Sequence, residues 1–261
     1  MDFSDVDFDP EEIRALAHEY VDKAKERGVT LRILGHLAVR THVQNNRELI
    51  DALQRKPTHD IDFMGYSSET TAANKFFIDE LGYTPDPMVA HSQEYGLKRL
   101  IYHKEDGLMA EIFQDDLRMA HTIHFKKRLE LDSPTISLVD LFLSKLQIHE
   151  INEKDIQDLI VLLIEHDLGS GDRELIDVAY MAERFSKDWG FYYTATENLN
   201  KTKHFITQYE VLSDAQRLLA EGRVNTILEN IESVPKSMKW KMRAKIGTRK
   251  KWYQDVREVW D

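Results

Sequence analysis

Asp60-Ile61-Asp62-Phe63-Met64 is the stretch on which the reading of this chain turns. Its alternation and apolar content read as a strand. In a strand, residues i and i+2 point to the same face, so Asp60 and Asp62 converge on one point in space. Two carboxylates that close repel each other unless a cation sits between them. A hard cation such as Mg²⁺ takes oxygen ligands and keeps waters and substrate phosphates in its remaining positions. This arrangement suits phosphoryl or nucleotidyl transfer, in which one or two metals clamp the attacking and leaving oxygens.

Working outward, Leu31-Arg32-Ile33-Leu34-Gly35 precedes that strand and reads as a short apolar strand ending in glycine. Gly35 opens a helix predicted over 37–53, and Pro57 breaks the chain before Asp60. A helix returning along the sheet places the second strand beside the first, with Gly35 and both aspartates near one sheet edge. Glycine at such a junction lets a ligand approach the backbone, and the next helix offers N–H groups to a phosphate. A lone glycine is more often an ordinary turn residue, and its weight here comes from the aspartates.

Asp9-Pro10-Glu11-Glu12 is a strong helix start, and Gly28 ends that helix. Ser67 or Ser68 caps a third helix that contains Phe76, Phe77 and Leu81 and stops at Gly82. Segments 97–102 and 108–113 read as strands joined by the turn Lys104-Glu105-Asp106-Gly107. From Ser137 onward the period is almost wholly helical, with breaks near Gly169-Ser170-Gly171 and at Pro235. The expected class is α+β: a mixed sheet flanked by helices over 1–131, then an all-helical half over 132–261. A cleft between two such halves is a natural ligand site.

The chain has 261 residues, enough for a substantial core, and no cysteine, which excludes disulfides and thiolate chemistry. No run reaches the roughly 18 apolar residues that span a membrane. The N-terminus is acidic, unlike a secretory signal, so a cytoplasmic protein without a membrane partner is expected. The net charge of −11 argues against broad nucleic-acid binding. Residues 236–251 run the other way: Lys236, Lys239, Lys241, Arg243, Lys245, Arg249, Lys250 and Lys251 occur there with no acid. That stretch is either a solvated helical face or a local hold on a polyanion such as RNA.

Other residues add to the aspartates. Glu111 sits among apolar neighbours in Met109-Ala110-Glu111-Ile112-Phe113, where a buried acid needs a partner, and a metal is one. Arg55 could answer a triphosphate and Thr58 could orient the metal ligands. Lys145 interrupts an apolar helix, with its stem packed and its ammonium free to reach a cleft. Asp155 and Asp158, three apart on one helix face, could hold Lys145 or act as a general base. His121 and His124 lack a third ligand at metal spacing and read as surface histidines. The tryptophans Trp189, Trp240, Trp252 and Trp260 read as core or interface anchors.

Together these pieces resemble the nucleotidyltransferase superfamily that includes DNA polymerase beta: a glycine after the first strand, a helix, Asp-x-Asp on the next strand, then a later carboxylate. The likeness is closer to the nucleotidyltransferase toxins of type IV toxin–antitoxin (abortive-infection) systems. It rests on Arg55-x-x-Thr58-x-Asp60-Ile61-Asp62, on Ser144-Lys145-Leu146 and on Lys154-Asp155-Ile156-Gln157-Asp158, across roughly 30–165. The resemblance implies an NTP substrate and Mg²⁺, with a two-metal site held by Asp60, Asp62 and Glu111. It implies that Gly35 and His36 face the triphosphate with Arg55 and Thr58, that Lys145 contacts phosphate, and that Asp155 or Asp158 supports or deprotonates the acceptor. An antitoxin partner is implied by the same likeness. This chain carries Gly35-His36 where the superfamily has Gly-Gly or Gly-Ser, and Glu111 where Asp is commoner. The acceptor could be RNA, a protein or a small hydroxylated molecule such as an aminoglycoside. A non-catalytic nucleotide- or partner-binding module on the same scaffold is the rival reading.

Overall fold

The computed structural model describes residues 8–54, 60–87, 98–171 and 174–256. Asp9 caps the first helix, α1 (Pro10–Glu26), by accepting from the Glu11 N–H, with proline at the first helical position. Ile13, Ala17, Tyr20, Val21 and Ala24 form its buried stripe. Gly28, at φ +70°, turns the chain into β1 (Arg32–Ile33).

β1 pairs antiparallel with β2 (Asp60–Gly65), and β2 pairs parallel with β5 (Met109–Gln114). β5 pairs antiparallel with β4 (Arg99–His103), which pairs with β3 (Thr84–Pro85). The result is a mixed five-stranded sheet in the order β1-β2-β5-β4-β3. The 104–107 segment closes the β4–β5 hairpin through Lys104 N–H to the Leu108 carbonyl. One face carries Ile61, Phe63, Leu100, Tyr102, Ala110 and Ile112, all buried. Phe77 stacks on Tyr102 at 4.6 Å and meets Phe63 and Tyr20 edge-on, so α1 and the 76–80 turn cover this face. The opposite face carries Asp60, Asp62, Arg99 and Glu111.

The helix expected over 37–53 is two helices, α2 (Gly35–His42) and α3 (Arg47–Ala52). The break falls at Gln44-Asn45-Asn46. There the Glu165 carboxylate, from another helix, accepts the backbone N–H groups of all three residues. Outside capping, not local sequence, sets this boundary. The third predicted helix starts with a 3₁₀ turn at Ser67–Glu69, continues as α4 (Thr70–Lys75) and a π turn at Phe76–Glu80, and ends at Gly82. β6 (Asp116–Arg118) and β7 (Thr122–His124) form a small hairpin.

Ser137 caps α5 (Leu138–Leu146), and Asn152 caps α6 (Glu153–Glu165). Beyond them lie α7 (Val178–Lys187), α8 (Trp189–Gln208), α9 (Asp214–Ser233) and α10 (Met238–Ile246). The expectation of an all-helical second half needs correction. β8 (Asp167–Gly169) and β9 (Leu175–Asp177) pair in parallel there, inside the break read at Gly169-Ser170-Gly171. One continuous buried cluster runs from Ile13 on α1 to Ile231 on α9. No helix among the described residues is long and apolar enough to cross a membrane.

Candidate functional site

β2 brings Asp60 and Asp62 onto one face, and its parallel register sets Asp62 directly opposite Glu111 on β5. Gly35 closes the site from β1: a Cβ built on it would lie 2.5 Å from Asp62 Oδ2. Its φ of +69° is the left-handed region that glycine enters without strain. The Leu34 N–H donates to the Asp62 carbonyl at 2.9 Å, fixing that approach. Among the described residues the Asp62 side chain accepts no hydrogen bond. Burial, then the neighbouring Asp60 charge, push its carboxyl up to about 6, against the opposing pull of Lys145 and Arg99.

Glu111 is buried and receives both Nε and Nη2 of Arg99, the latter at 2.7 Å. It does not join Asp60 and Asp62 in a three-donor cluster. Among the described residues, the His and acid side chains whose donor atoms close to ion-binding distances are His42, His166 and Glu174. Arg99 escaped the sequence reading. The hairpin turn carried the signal: counting back from it sets Ile101 opposite Glu111 and Arg99 two residues along on the same face.

Behind Gly35 lies a second cluster. Lys145 on α5 is buried and donates to Asp155 at 2.7 Å and Asp158 at 2.8 Å, both on α6. Burial opposes its charge, but Asp158 and Asp155 outweigh burial and raise its pKa. The other oxygen of Asp158 meets His36 Nδ1 at 3.0 Å. Arg40 Nε donates to His36 Nε2 at 3.2 Å, which leaves Nδ1–H to donate to Asp158. Arg40 also reaches Glu11 at 3.1 Å and Asp51 at 2.7 Å. His36, implied by the resemblance to face the triphosphate, is buried and turned toward α6 instead. Its ring fills a place in the helix-side network, so it does not crowd the space before Asp62.

The structure thus brings Gly35, Asp60, Asp62 and Glu111 to one end of the sheet, with Lys145 close enough to act on Asp62. Arg55 and Thr58 lie outside the described residues. The basic stretch centres on α10, where Lys239, Lys241 and Lys245 are exposed while Arg243 sits over the Trp189 ring at 4.6 Å. His121, read as a surface residue, is buried, stacked on Phe191 and bonded to Thr194 Oγ1 at 2.8 Å; burial lowers its pKa to about 4. It lies just before β7. Comparison with protein-family models, curated proteins and solved structures gave no match.

Proposed function

We propose that this chain is a Mg²⁺-dependent nucleotidyltransferase. It would move a nucleoside monophosphate from an NTP to an acceptor hydroxyl and release pyrophosphate, on a nucleotidyltransferase-type sheet followed by a mainly helical half. The observation that carries the reading is the seating of Gly35 against the Asp62 carboxylate, with Asp60 on the same strand face. The donor set suits a hard cation: both aspartates offer only oxygen, and burial first and the Asp60 charge second raise the Asp62 carboxyl, a cost that a bound cation would relieve. Asp60 and Asp62 would hold Mg²⁺, which would neutralise phosphate charge and favour ionisation of the acceptor hydroxyl.

The remaining roles belong to the chain. Gly35 leaves backbone room for phosphate, and no side chain caps the N-terminus of α2 behind it. Lys145 places positive potential behind Asp62 while Asp155 and Asp158 fix its position. Asp155 borders a cavity of about 500 Å³ together with His149, Asn152 and Tyr253. An acceptor hydroxyl there would find a carboxylate to take its proton. The toxin-like resemblance, a cytoplasmic location and an antitoxin partner belong to this proposal.

One observation favours a second reading, a nucleotide- or partner-binding module without turnover: Arg99 already neutralises Glu111. The deciding experiment presents the full chain with each α-labelled NTP and Mg²⁺, with bulk RNA, a protein extract or an aminoglycoside as acceptor, and follows label transfer and pyrophosphate. Transfer lost in the Asp60→Asn, Asp62→Asn double variant is the expected result. Metal-dependent NTP binding without pyrophosphate points to the binding module, and activity retained in the double variant sinks the assignment. Replacing Lys239, Lys241 and Lys245 by Gln separates acceptors: RNA transfer should weaken and lose salt dependence, whereas transfer to an aminoglycoside, as in an antibiotic-modifying enzyme, should not change.

A further inference from the structure

A second group of donors lies at the far ends of the same two helices. His42 is the last residue of α2, His166 follows the last residue of α6, and Glu174 immediately precedes β9. Both histidines are buried. Glu174 Oε1 lies 3.3 Å from His42 Nδ1, and its Oε2 lies 3.4 Å from His166 Nδ1. Their donor atoms all fall within 4.8 Å of one another. Around Zn²⁺, with bonds of about 2.0–2.1 Å, two tetrahedral donors stand about 3.3 Å apart.

The hydrogen bonds around His42 sharpen the chemistry. Its Nε2 lies 3.3 Å from the Ile136 carbonyl, which can only accept, and 2.8 Å from Thr135 Oγ1. In the tautomer that donates Nε2–H to that carbonyl, Nδ1 turns a lone pair toward the Glu174 carboxylate, and a cation between these two acceptors would join them. An imidazole whose outer N–H is held by a backbone carbonyl is the arrangement that orients histidine toward a metal. Among the described residues His166 Nε2 is buried without a hydrogen-bond partner, while Nδ1 faces Glu174. Glu174 holds φ +53°, a conformation rare for a residue with a side chain, and it directs its carboxylate to both rings.

We propose that His42, His166 and Glu174 form a site for one Zn²⁺-class ion, with water completing the shell on the exposed Glu174 side. Imidazole and carboxylate donors select this class over Mg²⁺. The ion would tie α2 to α6 at the end opposite the His36–Asp158 contact. The two helices would then be held together at two points along their length. The inference is independent of the nucleotidyltransferase reading, since it shares no ligand with Asp60 and Asp62.

The test is calorimetric titration of chelator-stripped full-length protein with Zn²⁺, beside Glu174→Gln, His166→Gln and Asp62→Asn. Glu174 is largely exposed, so its variant keeps the fold, which circular dichroism of the metal-free forms checks. The expected result is one equivalent of Zn²⁺, a raised Tm, and binding at least about tenfold weaker in Glu174→Gln and His166→Gln but unchanged in Asp62→Asn. Co²⁺ should give a tetrahedral visible band that Glu174→Gln abolishes and excess Mg²⁺ leaves in place. No Zn²⁺ binding, equal binding in Glu174→Gln, or loss of binding in Asp62→Asn would each overturn the site.

Discussion

The two charge clusters on either side of Gly35 use the same residue types and resolve their charges in opposite ways. On the helix side every charge meets a partner: Arg40, the neutral His36, Asp158, Lys145 and Asp155 form a chain, each within hydrogen-bonding distance of the next. On the sheet side Asp60 and Asp62 share one strand face, and the Asp60 charge adds to burial in raising the Asp62 carboxyl, while Arg99 pairs with Glu111 and Lys145 with α6. A network whose charges are paired with one another is chiefly scaffolding, and Asp155 is the member that also borders a cavity. A buried carboxylate with a like charge beside it is where an external cation gains most. The contrast separates support from site before any activity is known.

The sharpest way to break the comparison is Lys145→Met. If the helix-side network is scaffolding, removing its cation leaves Asp155 and Asp158 buried without their shared partner. The expected cost is about 3–5 kcal/mol, read by urea denaturation. A loss below about 1 kcal/mol would mean that water reaches these carboxylates, and the cluster would then belong with the site.

A smaller effect isolates the contact between the two regions. Gly28 and Gly35 have nearly the same φ, +70° and +69°, but different surroundings. Nothing lies within 4 Å of a Cβ at Gly28, whereas at Gly35 it meets Asp62 Oδ2. Gly28→Ala should cost about 1 kcal/mol, the backbone strain alone. Gly35→Ala should cost about 2–3 kcal/mol, because the carboxylate sits on a strand and shifts only with its neighbours. Equal losses in thermal unfolding would show that Asp62 moves freely and that the close approach carries no weight.

The sequence made some of this legible and hid the rest, for physical reasons. Period-2 alternation and the hairpin turn placed β2, β4 and β5 to within two residues, and Ser137 announced α5, because these signals are local. The Lys145–Asp155–Asp158 grouping was readable from helix spacing and the nearness of α5 and α6 in sequence. The break between α2 and α3 was not, since the carboxylate that caps it comes from Glu165, far along the chain. Arg99 on Glu111 needed strand register, one step beyond identifying the strands. His42 and His166 share no spacing rule at all. Only the packing of α2 on α6 brings them together, so a search for closely spaced ligands passes them by.

The finest test is Asp62→Asn, which probes the repulsion itself. The Asp62 carboxyl has an ordinary value of 3.8 and is pushed up to about 6 in the folded chain. Between those values the folded state binds more protons than the unfolded state, so stability falls as pH rises through that window and the penalty is complete above it. Asn has no charge to desolvate and none to set against Asp60. The variant should therefore be more stable than the wild type at pH 7.5 by up to about 3 kcal/mol, or several degrees in Tm. The gain should shrink toward zero by about pH 4, where both chains carry a neutral group at this position. Mg²⁺ should narrow the gap at pH 7.5 by stabilising the wild type alone, since a cation on Asp60 and Asp62 relieves the same strain that the substitution removes. A variant no more stable than the wild type at any pH would mean that Arg99 and Lys145 already neutralise Asp62. The sheet side would then be as closed as the helix side, and the argument for a bound cation there would fall with it.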